Sequence, residues 1–357
     1  MLDTSSPSAR HPYDALTPDT VLNAVDAAGY RTDGRLLALN SYENRVYQVG
    51  VEDMQPLMES HPGVAACSPS APDGWVVAKF YRPGRWSDEA IREEHAFSQA
   101  LAETEIPAVA PLADARGETL FTYAAHPADF RFALYPRRGG RWPDLEDLDK
   151  LLWMGRFMGR IHALGAIKPF AHRPTLDIAS FGHASVDYLR EAAVIPDDLH
   201  EAYFSLSKDV LAQVEAGFAR AGDVAVIRLH GDCHPGNILW TDDGPHFVDF
   251  DDARMGPAVQ DLWMLLSGER AQTTAQIDEI LSGYTEFMDF QPRELHLIEP
   301  LRTLRMIHYS AWLARRWDDP SFPRNFPWFG EPRYWEEQIL ALREQAALMN
   351  EPPLQWI

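Results

Sequence analysis

The segment His230-Gly231-Asp232-Cys233-His234-Pro235-Gly236-Asn237 constrains this chain more than any other part of it. Proline costs about 3 kcal/mol and glycine about 1 kcal/mol in a helix interior, so the octet is a loop. An apolar strand from Val224 enters it and the short apolar strand Ile238-Leu239-Trp240 leaves it. A turn at Thr241-Asp242-Asp243-Gly244-Pro245 then leads to Phe247-Val248-Asp249-Phe250-Asp251-Asp252. A strand, loop and hairpin carrying acids at their mouths suits phosphoryl transfer. That chemistry needs a carboxylate to orient and accept the proton of an attacking hydroxyl, and oxygen ligands that hold Mg²⁺ against nucleotide phosphates.

Asp232, Asn237 and Asp249 are the residue types required. Asp232 is the candidate catalytic base, and Asn237 and Asp249 are candidate Mg²⁺ ligands, Asp249 being catalytic through the metal. The order Asp, Asn five positions on, then Asp after a hairpin is the base, metal Asn and metal Asp order of protein kinases. If these residues merely capped turns beside Gly231, Gly236 and Gly244, the acids after Phe247-Val248 would go unexplained. His230 and His234 have the i,i+4 spacing of a zinc-binding helix, but Gly231 and Pro235 argue against a helix there. Cys233, beside the candidate base, is either a small buried thiol or an oxidation-sensitive one.

A kinase-like site also requires a strand lysine that reaches the phosphates and a helical glutamate that holds it. Lys79 closes the apolar strand Trp75-Val76-Val77-Ala78. A helix is expected from Ser87, which can cap it, with Asp88 and Glu89 in its first turn. Along that helix Ala90, Glu94, Phe97 and Leu101 share one stripe and Glu93 lies on its flank. A carboxylate within an apolar stripe needs a partner, so Glu94 is expected to pair with Lys79, with Glu93 as the alternative. The expected nucleotide-covering loop Leu39-Asn40-Ser41-Tyr42-Glu43-Asn44-Arg45 has no glycine. Ser41 and Asn44 offer side-chain donors there in place of close backbone approach, or serve as ordinary turn residues.

The texture of the chain divides it in two. Strand signals fall at 45–49, 74–81, 119–123 and 130–135, with Glu52 to Asp73 reading as an extended hairpin loop. After Tyr135 the breaker-rich Pro136-Arg137-Arg138-Gly139-Gly140-Arg141 leads into mostly helical periodicity. The expected fold is α+β and two-lobed, protein-kinase-like. Residues 1–135 would form a small antiparallel-sheet lobe that covers the nucleotide, and residues 136–357 a larger, mainly helical lobe with the catalytic loop, metal site and acceptor site. Leu151 to Leu164 is a strong helix whose Gly155 and Gly159 permit close packing. The aromatic, Arg-containing segment from Trp312 to Trp335 is either core or a wall of the acceptor site.

With 53 acidic against 32 basic residues, the net charge of −21 argues against nucleic acid or an anionic membrane as partner. It does not exclude ATP, which a local donor cluster and a metal can hold. No window approaches the roughly 18 apolar residues of a membrane span, and the first residues lack a signal-peptide pattern. Two cysteines, Cys67 and Cys233, suit a reducing compartment, and the expectation is a cytoplasmic protein.

With Lys79, the NSYENR loop, HGDCHPGN and VDFDDA assembled, the chain resembles the bacterial stress response kinase A family, Ser/Thr protein kinases within the aminoglycoside-phosphotransferase and choline-kinase-like superfamily. The likeness extends through Lys79-Phe80-Tyr81-Arg82-Pro83, Gly256-Pro257-Ala258-Val259-Gln260-Asp261-Leu262-Trp263 and Glu351-Pro352-Pro353-Leu354-Gln355. The octet alone identifies the superfamily; the NSYENR loop and the stretch from Asp251 to Leu265 narrow it. The resemblance implies Asp232 as proton acceptor, Asn237 and Asp249 as Mg²⁺ ligands and Ser41 as an ATP-contacting residue, and makes the missing glycines a family trait. A departure is the longer insertion from Val51 to Asp73. By analogy with kinase folds Asp261 would brace the catalytic loop; plain helix capping competes.

The resulting expectation is a monomeric Ser/Thr protein kinase that uses ATP and Mg²⁺ in a bacterial stress response. The alternatives are a small-molecule hydroxyl kinase of homoserine, choline or aminoglycoside type, and a nucleotide-binding pseudokinase.

Overall fold

The computed structural model describes residues 11, 13–52, 74–125 and 128–356. Most of the insertion, with Cys67, lies outside these residues. The chain divides into two compact units, one containing the described residues up to Arg141 with His246–Asp251, the other Trp142–Pro245 with Asp252 onward.

In the first unit, helix α1 (Pro18–Ala27) is capped by Thr17, whose hydroxyl accepts from the Thr20 amide at 3.2 Å. Proline at its first position loses no helical hydrogen bond. Five antiparallel strands follow: β1 (Thr32–Ala38), β2 (Arg45–Val51), β3 (Trp75–Phe80), β4 (Phe121–Ala125) and β5 (Ala128–Pro136), in the order β1-β2-β3-β5-β4. On the central strand β3, side chains alternate between faces. Val76, Ala78 and Phe80 enter a core with Phe130, Phe132, Leu134 and the α1 residues Val21 and Val25. Lys79 faces the other way, level with Val46 on β2 and Ala133 on β5. Helix α2 (Asp88–Glu103) is capped by Ser87 as expected, and the stripe of Ala90, Glu94, Phe97 and Leu101 is buried.

Helix α1 and strand β1 both escape the sequence reading. Strand β1 precedes the glycine-free loop, so that loop joins two strands rather than opening the sheet. An edge strand that is largely exposed leaves no apolar alternation to detect. The unit boundary also differs from 135/136: it falls at Arg141, and the chain returns to the first unit at His246. The return is secured by the backbone, because the Phe247 amide donates to the Pro107 carbonyl and the Val109 amide to the Phe247 carbonyl, both at 2.8 Å.

The second unit is mainly helical. Its elements are α3 (Leu148–Gly165), α4 (Ala184–Ala192), α5 (Asp197–Ala221), β6 (Ile227–Leu229), β7 (Ile238–Thr241), β8 (Gly244–Phe247), β9 (Arg254–Gly256), α6 (Val259–Trp263), α7 (Arg270–Tyr284), α8 (Ile298–Arg315), α9 (Ser321–Asn325) and α10 (Pro332–Leu348). Strand β8 carries the chain across the unit boundary. Gly155 and Gly159 of α3 face the backbone of α7, and a Cβ at either would strike the carbonyl of Ile280 or of Tyr284. Reciprocally, a Cβ at Gly283 would strike the Leu152 carbonyl. Most aromatic residues from Trp312 to Trp335 belong to the core: Phe322, Phe326, Phe329, Tyr334 and Trp335 are buried, while Trp328 is exposed. Tyr309 and Trp312 of α8 stack with centroids 5.7 Å apart, and both retain solvent exposure. No helix of the described residues is long and apolar enough to cross a membrane.

Because these contacts are with backbone, Gly155→Ala is expected to cost about 1–3 kcal/mol in urea unfolding. Gly139→Ala, where a Cβ meets nothing within 4 Å, should cost less than about 0.5 kcal/mol. Equal midpoints for the two variants would contradict the close-packing account.

Candidate active site

In the second unit the octet leaves β6 and is tied down by one carboxylate. Asp261, fully buried within α6, accepts from the backbone amides of His230 and Gly231, each at 2.8 Å. His162 of α3 lies 3.1 Å from the same carboxylate. Burial would raise the pKa of Asp261, but the His162 hydrogen bond and charge, helped by His230 and the Gly231 amide, outweigh it and hold the group below the ordinary carboxylate range. Asp261 therefore braces the loop and does not cap a helix. Gly231 has φ 84°, and a Cβ there would strike the Asp252 carbonyl.

This anchoring sets the position of Asp232. Its amide donates to His230 Nδ1 at 3.3 Å, and its Oδ1 accepts from Arg305 Nη1 at 2.6 Å. Oδ2 lies 3.6 Å from His234 Nε2, beyond hydrogen-bond range. Asn237, in a 3-10 turn, donates from Nδ2 to the Asp232 carbonyl at 2.9 Å. That bond fixes the amide orientation and leaves its Oδ1 with no partner among the described residues. The zinc alternative is not supported: His230 is fully buried, and His234 Nδ1 accepts from the Gly236 amide at 3.0 Å. Cys233 is fully buried beside Met158, and burial pushes its thiol well up, which removes the oxidation-sensitive reading.

In the first unit, Lys79 is buried, and its ammonium lies 2.7 Å from Asp249 Oδ1 and 3.5 Å from Asp251 Oδ1. Burial would lower its pKa; the charges of Asp249 and Asp251, with smaller contributions from Tyr135 and Glu94, raise it overall. The ion pair expected with Glu94 is therefore made with Asp249 and Asp251 instead. Glu94 is buried, as its stripe position required, while Glu93 is only partly covered. The Glu94 carboxylate acts on Tyr81 and Tyr135 and lies 3.7 Å from His95 Nε2. Periodicity identified the buried glutamate correctly, but it cannot reveal a competing acid 170 positions downstream.

Asp249 has φ 62°, a left-handed conformation that costs a non-glycine residue of order 1 kcal/mol. Its carboxylate is 53% exposed, and Oδ2 has no partner among the described residues. Asn237 and Asp249 each present an unengaged oxygen, the donor type that Mg²⁺ takes from one or two side chains alongside substrate phosphates. Among the described residues, no three His, Cys, Asp or Glu side chains gather as a metal cluster.

The glycine-free loop holds itself together. The Ser41 hydroxyl donates to the Asn44 carbonyl and accepts from the Val46 amide, both at 3.1 Å. Asn44 is buried, donates from Nδ2 to Asp251 at 3.0 Å, and accepts from the Arg82 amide at 3.1 Å. The turn reading of both residues is thus the one their bonds support. Asp251, which the sequence reading did not single out, is the hub: Lys79, Asn44 and Arg85 all converge on it. Arg82, with Nε 3.0 Å from Glu43 Oε1, and Arg85 follow β3 closely. The signal available for them was the cluster of arginines after Lys79 opposite the acidic run 249–252. Arg305 of α8 lay outside any motif.

Removing one partner of a buried ion pair strands the other, at a cost of about 3–5 kcal/mol. Asp251→Asn is accordingly expected to lower the urea stability of the first unit by an amount of that order. Asp249→Asn, at a half-exposed carboxylate, should cost about 1 kcal/mol or less. The reverse ranking of urea midpoints would contradict the assignment of Asp251 as the hub.

Comparison with known proteins accords with this geometry. The model of the phosphotransferase enzyme family matches residues 36–298. The chain is 43% identical to stress response kinase A of Escherichia coli K12, over 96% of both chains. It is 41% identical to the serine/threonine protein kinase RdoA of Salmonella typhimurium, again over 96% of both. Among solved structures, an aminopropanol kinase associated with a microcompartment superposes with a TM-score of 0.66 at 15% identity, covering 93% of this chain and 98% of that one. The amicoumacin kinase hAmiN superposes with a TM-score of 0.64 at 16% identity, covering 89% and 92%. The chain belongs to the phosphotransferase enzyme family and is a kinase with an alcohol group as acceptor.

Proposed function

We propose that the protein transfers the γ-phosphoryl group of ATP to a Ser or Thr hydroxyl of a protein, with Mg²⁺, in a bacterial stress response. The observation that carries this reading is the anchored Asp232. Its backbone is fixed through the Asp261 brace, one carboxylate oxygen is held by Arg305, and the other has no hydrogen bond among the described residues. A positioned oxygen of this kind can accept the proton of a hydroxyl as it attacks. Lys79, held charged by Asp249 and Asp251, supplies a fixed cation for nucleotide phosphates. Bound Mg²⁺, with Asn237 and Asp249 as its protein ligands, would neutralise charge on the phosphates. The protein acceptor and the stress role are supported by the 43% and 41% identities to relatives bearing those names. The charge of −21 supports a monomer that acts away from nucleic acid and anionic membrane surfaces, and the two cysteines support action in the cytoplasm.

Incubation with labelled ATP and Mg²⁺, beside generic protein acceptors and a panel of small alcohols, tests the proposal. Label is expected on protein, and Asp232→Asn should reduce it by about 10²–10⁴-fold, the usual contribution of a general base. Label on a small alcohol alone would replace the protein acceptor with a small-molecule one. Nucleotide binding without turnover would make the protein a pseudokinase.

A further inference from the structure

Arg305 stands where the acceptor must arrive. Its Nη1 donates to Asp232 Oδ1, and among the described residues that is its sole hydrogen-bond partner. The side chain remains 40% exposed. A guanidinium has five N–H donors in a rigid fork, so four of this one's remain uncommitted among the described residues, beside the candidate base.

Further cations stand in the same unit. Arg254 bonds Asp252 at 2.6 Å and lies 4.8 Å from the centroid of Phe181, whose ring stacks on His308 at 4.1 Å. Arg315 bonds the Ala184 carbonyl and stacks on Tyr188, with no carboxylate partner among the described residues. His308 lies among these groups: burial first, then Arg254, with Arg315 and Arg305 behind it and Asp252 opposing, lowers its pKa to about 3. The chain as a whole carries a net charge of −21. The long-range field repels an anion and is screened beyond about 10 Å at 0.1 M salt, so discrimination at this site operates at contact range.

We propose that Arg305 is a positioning and specificity residue that selects acceptors whose hydroxyl is flanked by negative charge, in a protein a Ser or Thr among acidic residues, and disfavours cationic acceptors such as amino alcohols. The proposal rests on Asp232 being the base, as set out above. Arg305 holds Oδ1, which turns Oδ2 toward the acceptor hydroxyl, while its spare donors receive a neighbouring carboxylate. A cationic acceptor meets the spare, outward N–H groups of the guanidinium instead, and like-charge contact of this kind is how interfaces exclude wrong partners.

Two acceptor series test this with the full chain, ATP and Mg²⁺. One is a pair of Ser peptides identical except for flanking Glu or Lys; the other is a hydroxy acid, a neutral diol and an amino alcohol. The anionic member is expected to lead in kcat/KM by about tenfold or more, with the difference falling to roughly threefold or less in Arg305→Gln. Arg305→Lys should retain the charge preference with a lower kcat, since an ammonium cannot hold the carboxylate in the same fork. KM for ATP should stay within about twofold in both variants, because uniform loss of nucleotide binding would indicate a general structural effect. A wild-type preference for the cationic or neutral member would overturn the proposal, as would a preference that survives Arg305→Gln. Label confined to small alcohols would instead remove the protein acceptor, and the ranking within that series would still decide the role of Arg305.

Discussion

The buried carboxylate of Asp261 is the interaction on which the catalytic half of this protein depends. A full negative charge with no solvent exposure is tolerable only when its oxygens are answered by donors. Here the donors are two consecutive loop amides and one imidazole. The same bonds that make the charge tolerable fix the backbone on the N-terminal side of Asp232. Gly231 is required because its carbonyl-crowded, left-handed position admits no Cβ. His162 comes from α3, which is held against α7 through glycines in direct backbone contact. Helix packing, charge burial and placement of the candidate base are thus one mechanical chain within the second unit.

The first unit solves a similar problem with the opposite sign. Lys79 sits on the central strand of the sheet, where its ammonium would be costly alone, and two acids from the returning segment 249–251 offset that cost. Their exposures differ: Asp251 is buried and shared with Asn44 and Arg85, whereas the Asp249 carboxylate is half exposed and keeps an oxygen open. The split assigns a structural role to one acid and leaves the other for chemistry.

Much of this was legible in the sequence because it is local or periodic. The loop nature of the octet followed from Gly231, Pro235 and Gly236, the burial of Glu94 from a 3.6-residue stripe, and the α3 contact from Gly155 and Gly159. The five-stranded antiparallel sheet and the helical remainder matched the α+β, two-lobed expectation. What was not legible is long-range pairing. Lys79 chooses Asp249 over Glu94, Asn44 binds Asp251 across 207 positions, and Arg305 reaches Asp232 across 73. No spacing rule links such residues, and strand β1 was hidden by its exposed, weakly alternating sequence.

The central claim is that Asp261 holds the loop so that Asp232 is ready for phosphoryl transfer, and Asp261→Asn tests it directly. An asparagine amide can accept from one of the two loop amides but must point N–H groups at the other. Purified variant and wild type would be compared for turnover and for ATP affinity, with circular dichroism used to establish that both are folded. A shift of the base of about 1 Å can cost on the order of 10²-fold in rate, so a folded variant with near-normal ATP affinity and turnover lowered by about that factor is expected. A folded variant that turns over at the wild-type rate would show that the loop holds its shape without the buried carboxylate, contradicting the account.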